Sequence, residues 1–380
     1  MRIVANWITD QDLQLVLRLI REGGHQALLV GGCVRNGLLG VPVDDIDIAT
    51  DAHPERVLAL AKAAGLRVVP TGIEHGTVTV VANSKPFEVT TFRRDVETDG
   101  RRATVAFATS ILDDAARRDF TMNALYADHA GQVIDPLGGL PDLQARRVRF
   151  VGAPQDRIRE DYLRILRFFR FHARYGDPAL GLDADGLAAC AGLADGITTL
   201  SRERIGHEMR KLLAAPDPAP SLAAMQAAGI LARIIPGADI RAIAPLVHLE
   251  AGLSPDPLRR LAALGGADLS QALRLSRGET RALAVLQGAI GALSRVGELG
   301  YRHGPEVARD IVLLRAALLE QPLPADWQGE AALGAKARFP VQAADLAGRF
   351  SGPALGEKLR VLEAKWIESG FQLTRAELLG

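Results

Sequence analysis

Cysteine is nearly absent from this chain, with only Cys33 and Cys190 among 380 residues. The two lie far apart and outside any C-x-x-C spacing, which excludes a disulfide scaffold and a thiolate metal knot and fits a reducing compartment. Long hydrophobic runs are missing as well. No stretch is long enough to span a bilayer, and the N-terminal segment lacks a basic start followed by an apolar run, so a cytoplasmic protein is expected. Net charge is zero, with 45 basic and 45 acidic residues, which argues against a protein that coats nucleic acid indiscriminately. There is no internal repeat and no low-complexity tract.

What is present is enough for two or three domains with substantial cores: 380 residues, 48% hydrophobic and 24% charged. The pattern is α/β first and helical afterwards. Thr9 to Gly23 reads as an amphipathic helix with Leu13, Val16, Leu17 and Ile20 on one face, capped by Thr9 or Asp10. Strands are expected at Ala27 to Val30, Asp45 to Ala49, Thr77 to Ala82 and Phe87 to Thr91, with a helix from Pro54 to Ala64 and a hairpin turn at Asn83-Ser84-Lys85. A further pair is expected at Leu125 to Ala127 and Val133 to Asp135. Beyond Pro136-Leu137-Gly138-Gly139, Ala- and Leu-rich helical patterns dominate. They are broken at Pro216 to Pro220, Ile235-Pro236-Gly237, Ser254-Pro255-Asp256-Pro257 and Pro322 to Pro324.

The densest chemical signal is Leu28 to Thr50, LLVGGCVRNGLLGVPVDDIDIAT. A buried strand leads into Gly31-Gly32, whose backbone amides can approach an anion, and a helix follows over Val34 to Leu39, with Arg35 in its first turn. Asp45 and Asp47 then flank Ile46. In a strand this alternation puts both carboxylates on one face, about 7 Å apart, with Ile46 and Ile48 entering the core. Two hard oxygen donors at that spacing suit Mg²⁺, and the combination points to nucleotidyl transfer. Gly-Gly alone is usually a tight turn and a lone Asp-x-Asp is often solvated; their union within one short unit carries the inference.

Two further patterns stand out. In Phe87-Glu88-Val89-Thr90-Thr91, alternation places Glu88 opposite the apolar face, where it can reach Asp45 and Asp47 if the strands are neighbours. Between Arg146 and Arg174 lie Arg146, Arg147, Arg149, Arg157, Arg159, Arg164, Arg167, Arg170 and Arg174. On a neutral protein such a stripe suggests one phosphate-rich site, although a charge run is more often a solvated helix face.

Gly31-Gly32-Cys33-Val34-Arg35 followed by Asp45-x-Asp47 resembles the head of the class II nucleotidyltransferases, the family of tRNA CCA-adding enzymes and bacterial poly(A) polymerases. Gly72 to Val78 (GIEHGTV), Phe87 to Arg93 (FEVTTFR), Arg117 to Leu125 (RRDFTMNAL) and Glu160-Asp161-Tyr162-Leu163-Arg164 continuing through Arg167 and Arg170 match in order, so the resemblance covers roughly the first 210 residues. It implies an α+β chain: a polymerase-β-like head with a mixed sheet and helices over 1–145, a helical neck with base recognition over 146–213, and an all-α body and tail that bind tRNA over 214–380. It also implies two-metal addition of CCA to the tRNA 3′ end from CTP and ATP. In that reading Asp45 and Asp47 hold Mg²⁺ and Glu88 is the third catalytic carboxylate. Gly31, Gly32 and Arg35 hold the triphosphate, Arg118 a further phosphate or the sugar, and Asn123 the ribose. Asp119 either caps a helix over Phe120 to Leu125 or touches a ligand.

Base choice has a physical reading of its own. Asp161 and Arg164, three apart on an expected helix, share a face that Arg167 and Arg170 extend. Such a pair is either a surface ion pair or an amino-acid template. As a template, the carboxylate accepts from the exocyclic amine of cytosine or adenine and the guanidinium donates to the ring, while uracil and guanine present a carbonyl to the carboxylate. The polar stretch Arg93 to Phe107 would ordinarily be a mobile surface loop; the resemblance makes it the loop that accompanies switching from C to A, favouring full CCA addition.

Departures from the family pattern are few. Asn36 stands where an aspartate commonly follows the arginine, and no His-Asp dipeptide supports the phosphohydrolase domain of some relatives. Ser201-Arg202-Glu203-Arg204-Ile205, with Glu208, resembles the family's fifth motif and is expected to support the neck helix through ion pairs. Arg259, Arg260, Arg274, Arg277, Arg281, Arg295 and Arg302 are candidate contacts to tRNA phosphates. Poly(A) polymerase, a partial CC- or A-adding enzyme, and a catalytically silent RNA-binding protein are the alternatives.

Overall fold

Leu13, Val16, Leu17 and Ile20 recur at helical spacing. In the computed structural model, which describes residues 1–99 and 102–380, all four are buried on one face of α1 (Gln11–Glu22). Asp10 is its cap, accepting from the Asp12 and Leu13 amides; Thr9 instead ends a short 3₁₀ turn, Asn6–Thr9. The chain then lays down β1 (Leu28–Val30), α2 (Gly32–Leu39), β2 (Asp47–Thr50), α3 (Pro54–Ala63), β3 (Arg67–Gly72), β4 (Thr77–Ala82) and β5 (Lys85–Thr91). After these come β6 (Arg93–Asp99), β7 (Arg102–Phe107), α4 (Ile111–Ala116), β8 (Tyr126–Ala127) and β9 (Val133–Ile134).

Seven strands form one mixed sheet in the order β3-β4-β5-β2-β1-β8-β9. The one parallel contact among the ladders of that sheet is β2 with β5. Apolar runs explain the burial of the central strands: Leu29, Ile48, Val78 and Val89 are all essentially inaccessible. Strand β3 has no counterpart among the expected strands, because Pro70 interrupts it; it sits at the sheet edge, pairs with β4 and shifts register between Val69 and Gly72.

Three local expectations are corrected. Strand β2 begins at Asp47, so Asp45 and Ile46 lie in the preceding loop, and Ile46 is only half-buried. The helix expected over Phe120 to Leu125 is a single 3₁₀ turn, Thr121–Asn123, because Phe120 is extended and bridges to Phe150. The stretch Arg93 to Phe107, expected as an irregular loop, is instead an antiparallel pair of β6 with β7; its tip, Gly100 and Arg101, lies outside the described residues.

The helical region continues with α5 (Leu140–Gln144), α6 (Pro154–Glu160), α7 (Leu163–Tyr175), α8 (Ala184–Gly192) and α9 (Arg202–Leu213). Phe120 and Phe150 lie 4.9 Å apart and Phe150 stacks on Phe168 of α7 at 5.4 Å. All three rings are buried, and each such ring contributes about 1.5–3 kcal/mol by leaving water. This cluster fastens α7 to the sheet side of the same unit. The chain divides into two compact units, Met1–Ile234 and Ile235–Gly380, at the Ile235-Pro236-Gly237 break.

The second unit is helical throughout its described elements. Its interior holds a charged network. Arg259 and Arg260, both 1% exposed, share the carboxylate of Glu250, and Arg259 also pairs with Asp310 at 2.8 Å. These two arginines are therefore internal braces, not phosphate contacts, which corrects their assignment. Arg295 donates to the Glu368 carbonyl and Arg302 pairs with Glu298, whereas Arg274, Arg277 and Arg281 are exposed. No helix among the described residues is long and apolar enough to cross a membrane.

Candidate active site

The parallel pairing of β2 with β5 sets Asp47 directly beside Glu88. Residues in register on adjacent strands project to the same face, so the adjacency that alternation alone left conditional is present. Asp45, two residues upstream, is exposed in the loop. All three line one cleft of about 600 Å³. Burial, then the charges of Glu88 and Asp45, push the Asp47 carboxyl above its ordinary value, with Arg118 working the other way. Mutual repulsion of this kind is what a cation relieves, and the donors are the hard oxygens Mg²⁺ prefers. Among the described residues no three acidic, histidine or cysteine side chains form a ready-made metal cage.

Gly31 caps α2 with φ of 70° and ψ of −117°, a left-handed backbone that strains any other residue. A Cβ there would also stand 3.2 Å from Nη1 of Arg118. The turn thus keeps the α2 N-terminus and the Arg118 guanidinium close together, an anion-binding arrangement. Arg118 is oriented by its other nitrogens. Nη2 donates to Asp114 at 2.8 Å, and Nε lies 3.3 Å from that carboxylate and 3.2 Å from the Tyr126 hydroxyl. Burial raises the Asp114 carboxyl, but Arg118, Arg117 and the Tyr126 hydroxyl outweigh it and hold the group at about 2.

Arg35 has a different environment from the one its position suggested. It is 6% exposed and stacks over Tyr175 at 4.1 Å. Its donors go to Oδ1 of the Asn36 side chain, the Asn123 side chain and the Tyr175 hydroxyl. Asn36 does the orienting expected of an aspartate, and its amide also donates to the Pro42 carbonyl, which a carboxylate could not do. Asn123 in turn donates to Asp119, and Asp119 accepts both Nε and Nη2 of Arg167. Asp119 is 8% exposed; burial opposes its ionisation, yet Arg167 and Asn123 hold its carboxyl below the ordinary value. The five residues Asn36, Arg35, Asn123, Asp119 and Arg167 form a continuous chain from α2 to α7.

Asp161 and Arg164 are not paired with each other. Asp161 stands outside the helices, with φ of −157° between α6 and α7. One of its oxygens accepts from the Leu163 amide and the other from Arg204 at 2.7 Å. Arg164 instead pairs with Glu160 and donates to the Arg157 carbonyl. Arg170 pairs with Glu208 of α9 at 2.5 Å. The ion pairs expected from Ser201 to Glu208 are therefore present, and Ser201 caps α9.

Sequence reasoning missed Asp114, Tyr126, Phe171, Tyr175 and Trp7, all packed on or lining this site. Some of them carried a signal. Asp114 precedes Arg118 by one helical turn, and Phe171 and Tyr175 follow Arg167 at four-residue steps on one face of α7.

Comparison with known proteins gives the family. Residues 27–149 match the family model described as Poly A polymerase head domain. Residues 180–241 match the one described as probable RNA and SrmB-binding site of polymerase A. The mitochondrial CCA tRNA nucleotidyltransferase 1 of Mus musculus is 32% identical over 97% of this chain and 89% of its own length. A CCA-adding enzyme of Streptococcus gordonii is 44% identical over 58% of this chain and 54% of its own. The crystal structure of the Bacillus stearothermophilus CCA-adding enzyme in complex with CTP superposes with a TM-score of 0.72 at 29% identity, covering 94% of this chain and 93% of that one. With a relative of this identity aligned over nearly the whole length, around a sheet that sets Glu88 beside Asp47, the chain belongs to the class II nucleotidyltransferase family of the CCA-adding enzymes.

Proposed function

We propose that the chain completes tRNA 3′ ends by adding C, C and A from CTP and ATP without a template, releasing pyrophosphate at each step. The observation that carries this reading is the β2–β5 register, which sets Asp47 beside Glu88 with Asp45 two residues upstream. The names of the relatives supply the substrate class. Asp45 and Asp47 would hold the divalent ion, taken to be Mg²⁺. A bound divalent ion supplies Lewis acidity that favours the alkoxide form of the RNA 3′-hydroxyl and neutralises the leaving pyrophosphate.

The chain's own groups do the rest. Glu88 accepts the proton of the 3′-hydroxyl or orients it. The Gly32 amide and the free Nη1 edge of Arg118 receive the triphosphate, Gly31 shaping the turn with its own amide donating to the Leu125 carbonyl, and the ordered chain through Arg35, Asn123 and Asp119 fixes that turn relative to α7. In this reading Arg35 and Asn123 act by position, since their polar groups are occupied within the protein. Asp161 and Arg164 read the base, with Arg167 and Arg170 flanking them. Exchange of Arg204 and Glu160 for a base edge would bring both into play.

The proposed division of labour is catalysis in 1–145, base recognition in 146–213 and tRNA binding in 214–380, with Arg274, Arg277 and Arg281 as phosphate contacts. The cytoplasm is the proposed compartment. The test is to incubate the protein with Mg²⁺ and tRNA transcripts ending before CCA, after C and after CC, supply CTP and ATP singly and together, and sequence the products. Stepwise C, C, A with termination is expected. Long A tails would make the chain a poly(A) polymerase, and addition of one part alone a CC- or A-adding enzyme. Absence of turnover on any RNA would leave a silent RNA-binding protein.

A further inference from the structure

The cleft that exposes Asp45, Asp47 and Glu88 is also lined by Trp7, Lys85 and Pro86. None of Gly31, Gly32, Arg118, Asp161 or Arg164 lines it. The groups assigned to the incoming nucleotide therefore approach the carboxylates from elsewhere, and Arg118 is the one whose charge reaches Asp47. In-line displacement needs the attacking oxygen and the departing pyrophosphate on opposite sides of the phosphorus. With the triphosphate at the Gly31 turn, the cleft is the space left for the attacking RNA end. Its volume, about 600 Å³, lies within the range of sites that take small molecules.

Trp7 sits in the 3₁₀ turn Asn6–Thr9 and is half-buried. Part of its ring packs on α2, where a Cβ on Gly37 would come within 3.1 Å of Cζ2. Its indole N–H has no protein partner among the described residues. Lys85, the cation of the cleft, is already held by Asp10 at 2.6 Å and Asp12 at 3.0 Å. An acidic cleft whose lysine is neutralised does not grip phosphate, which leaves the aromatic face as the means of holding RNA. Stacking on an aromatic ring tolerates any base, because every base offers a π-face. That tolerance is required of a site whose occupant changes identity with each nucleotide added.

We propose that Trp7 is the stacking platform for the terminal nucleobase of the RNA acceptor, in the cleft that it lines together with Asp45, Asp47 and Glu88. The assignment rests on the CCA-adding reading. Steady-state kinetics of Trp7→Ala and Trp7→Phe on a tRNA minihelix ending in CC test it. Trp7→Ala is expected to raise KM for the RNA by about 5- to 100-fold, with KM for ATP unchanged, and Trp7→Phe to recover most of the loss. Because Trp7 also packs on α2, an independent readout on the folded wild-type protein is needed. Titrating the same minihelix in Mg²⁺ buffer should quench indole fluorescence, and the quench should be smaller in Trp7→Phe, which keeps only Trp327 and Trp366. An unchanged KM for RNA, a change confined to the KM for ATP, or an identical quench in wild type and Trp7→Phe would overturn the proposal. Failure of the CCA reading shows separately, in the products of the wild-type enzyme.

Discussion

If Asp161 reads the base as proposed, replacing it separates base choice from chemistry, and the structure supplies the expected size of the effect. The carboxylate has one oxygen on the Leu163 amide and the other on Arg204, with its side chain 33% exposed. A hydrogen bond from a base amine to a charged acceptor contributes about 1.5–3 kcal/mol. One-third exposure places this group at the low end, about 1.5–2 kcal/mol, because water competes for the same lone pairs. Asp161→Ala should therefore reduce discrimination between CTP and UTP, as the ratio of kcat/KM values, by roughly 10- to 30-fold. Turnover with CTP should persist, because Asp45, Asp47 and Glu88 are untouched.

The alanine variant also removes the acceptor at the start of α7, which costs about 1 kcal/mol of stability. Asp161→Asn controls for that loss. It keeps an oxygen for the Leu163 amide while presenting an NH₂ where the base amine was, so it should admit UTP better than Asp161→Ala does. The assay is single-nucleotide addition to a minihelix lacking CCA, run separately with each of the four nucleoside triphosphates. If both variants reject UTP and GTP as strongly as the wild type, Asp161 does not read the base.

Asp119→Ala removes the carboxylate that joins Asn123 to Arg167; with the Arg167 side chain 32% exposed, the loss should be about 2–3 kcal/mol, below the range for a fully buried pair, measured by urea denaturation of the Met1–Ile234 unit's transition. Asp114, buried and held at about 2 by Arg118, Arg117 and Tyr126, contributes stability that is fully present above the unfolded carboxylate value near 3.8 and is lost as pH falls through about 2. Urea midpoints measured from pH 5 to pH 2 should fall less steeply for Asp114→Asn than for wild type, by a total of roughly 2 kcal/mol, and parallel curves would refute the assignment. In the second unit, Glu250→Ala removes the buried carboxylate that Arg259 and Arg260 share, leaving Arg259 with Asp310, and should cost about 3–5 kcal/mol, seen as an early unfolding transition. Arg277→Ala should instead leave stability within about 0.5 kcal/mol while lowering the salt dependence of tRNA binding.

Local patterns located the catalytic strands and the Gly31 turn because both depend on periodicity and on single-residue backbone preference. The adjacency of Asp47 and Glu88 could not be read in the same way. It needs β5 to insert in parallel beside β2, a long-range pairing that alternation permits but does not dictate. The Asp161–Arg164 pair failed for a related reason. Three-residue spacing implies a shared face only within a helix, and Asp161 has an extended backbone just before α7. Released from that register, its carboxylate found Arg204, and Arg164 found Glu160 one turn back.

The arginines of the second unit mark a limit of pattern reading. Arg277 and Arg281 lie on a helix with a solvated side, whereas Arg259 and Arg260 lie in Pro257–Leu264, where Leu261 to Leu264 are all buried. A helix buried on every side has no face on which to leave a guanidinium in water. Arg259 to Leu264 are all buried in this way, although their sequence alone reads as an amphipathic helix, so the two arginines require internal carboxylates. Asp256 is nearer but caps the helix through the Leu258 and Arg259 amides, so Glu250 supplies the carboxylate, since unpaired buried charge is the costlier alternative by several kcal/mol.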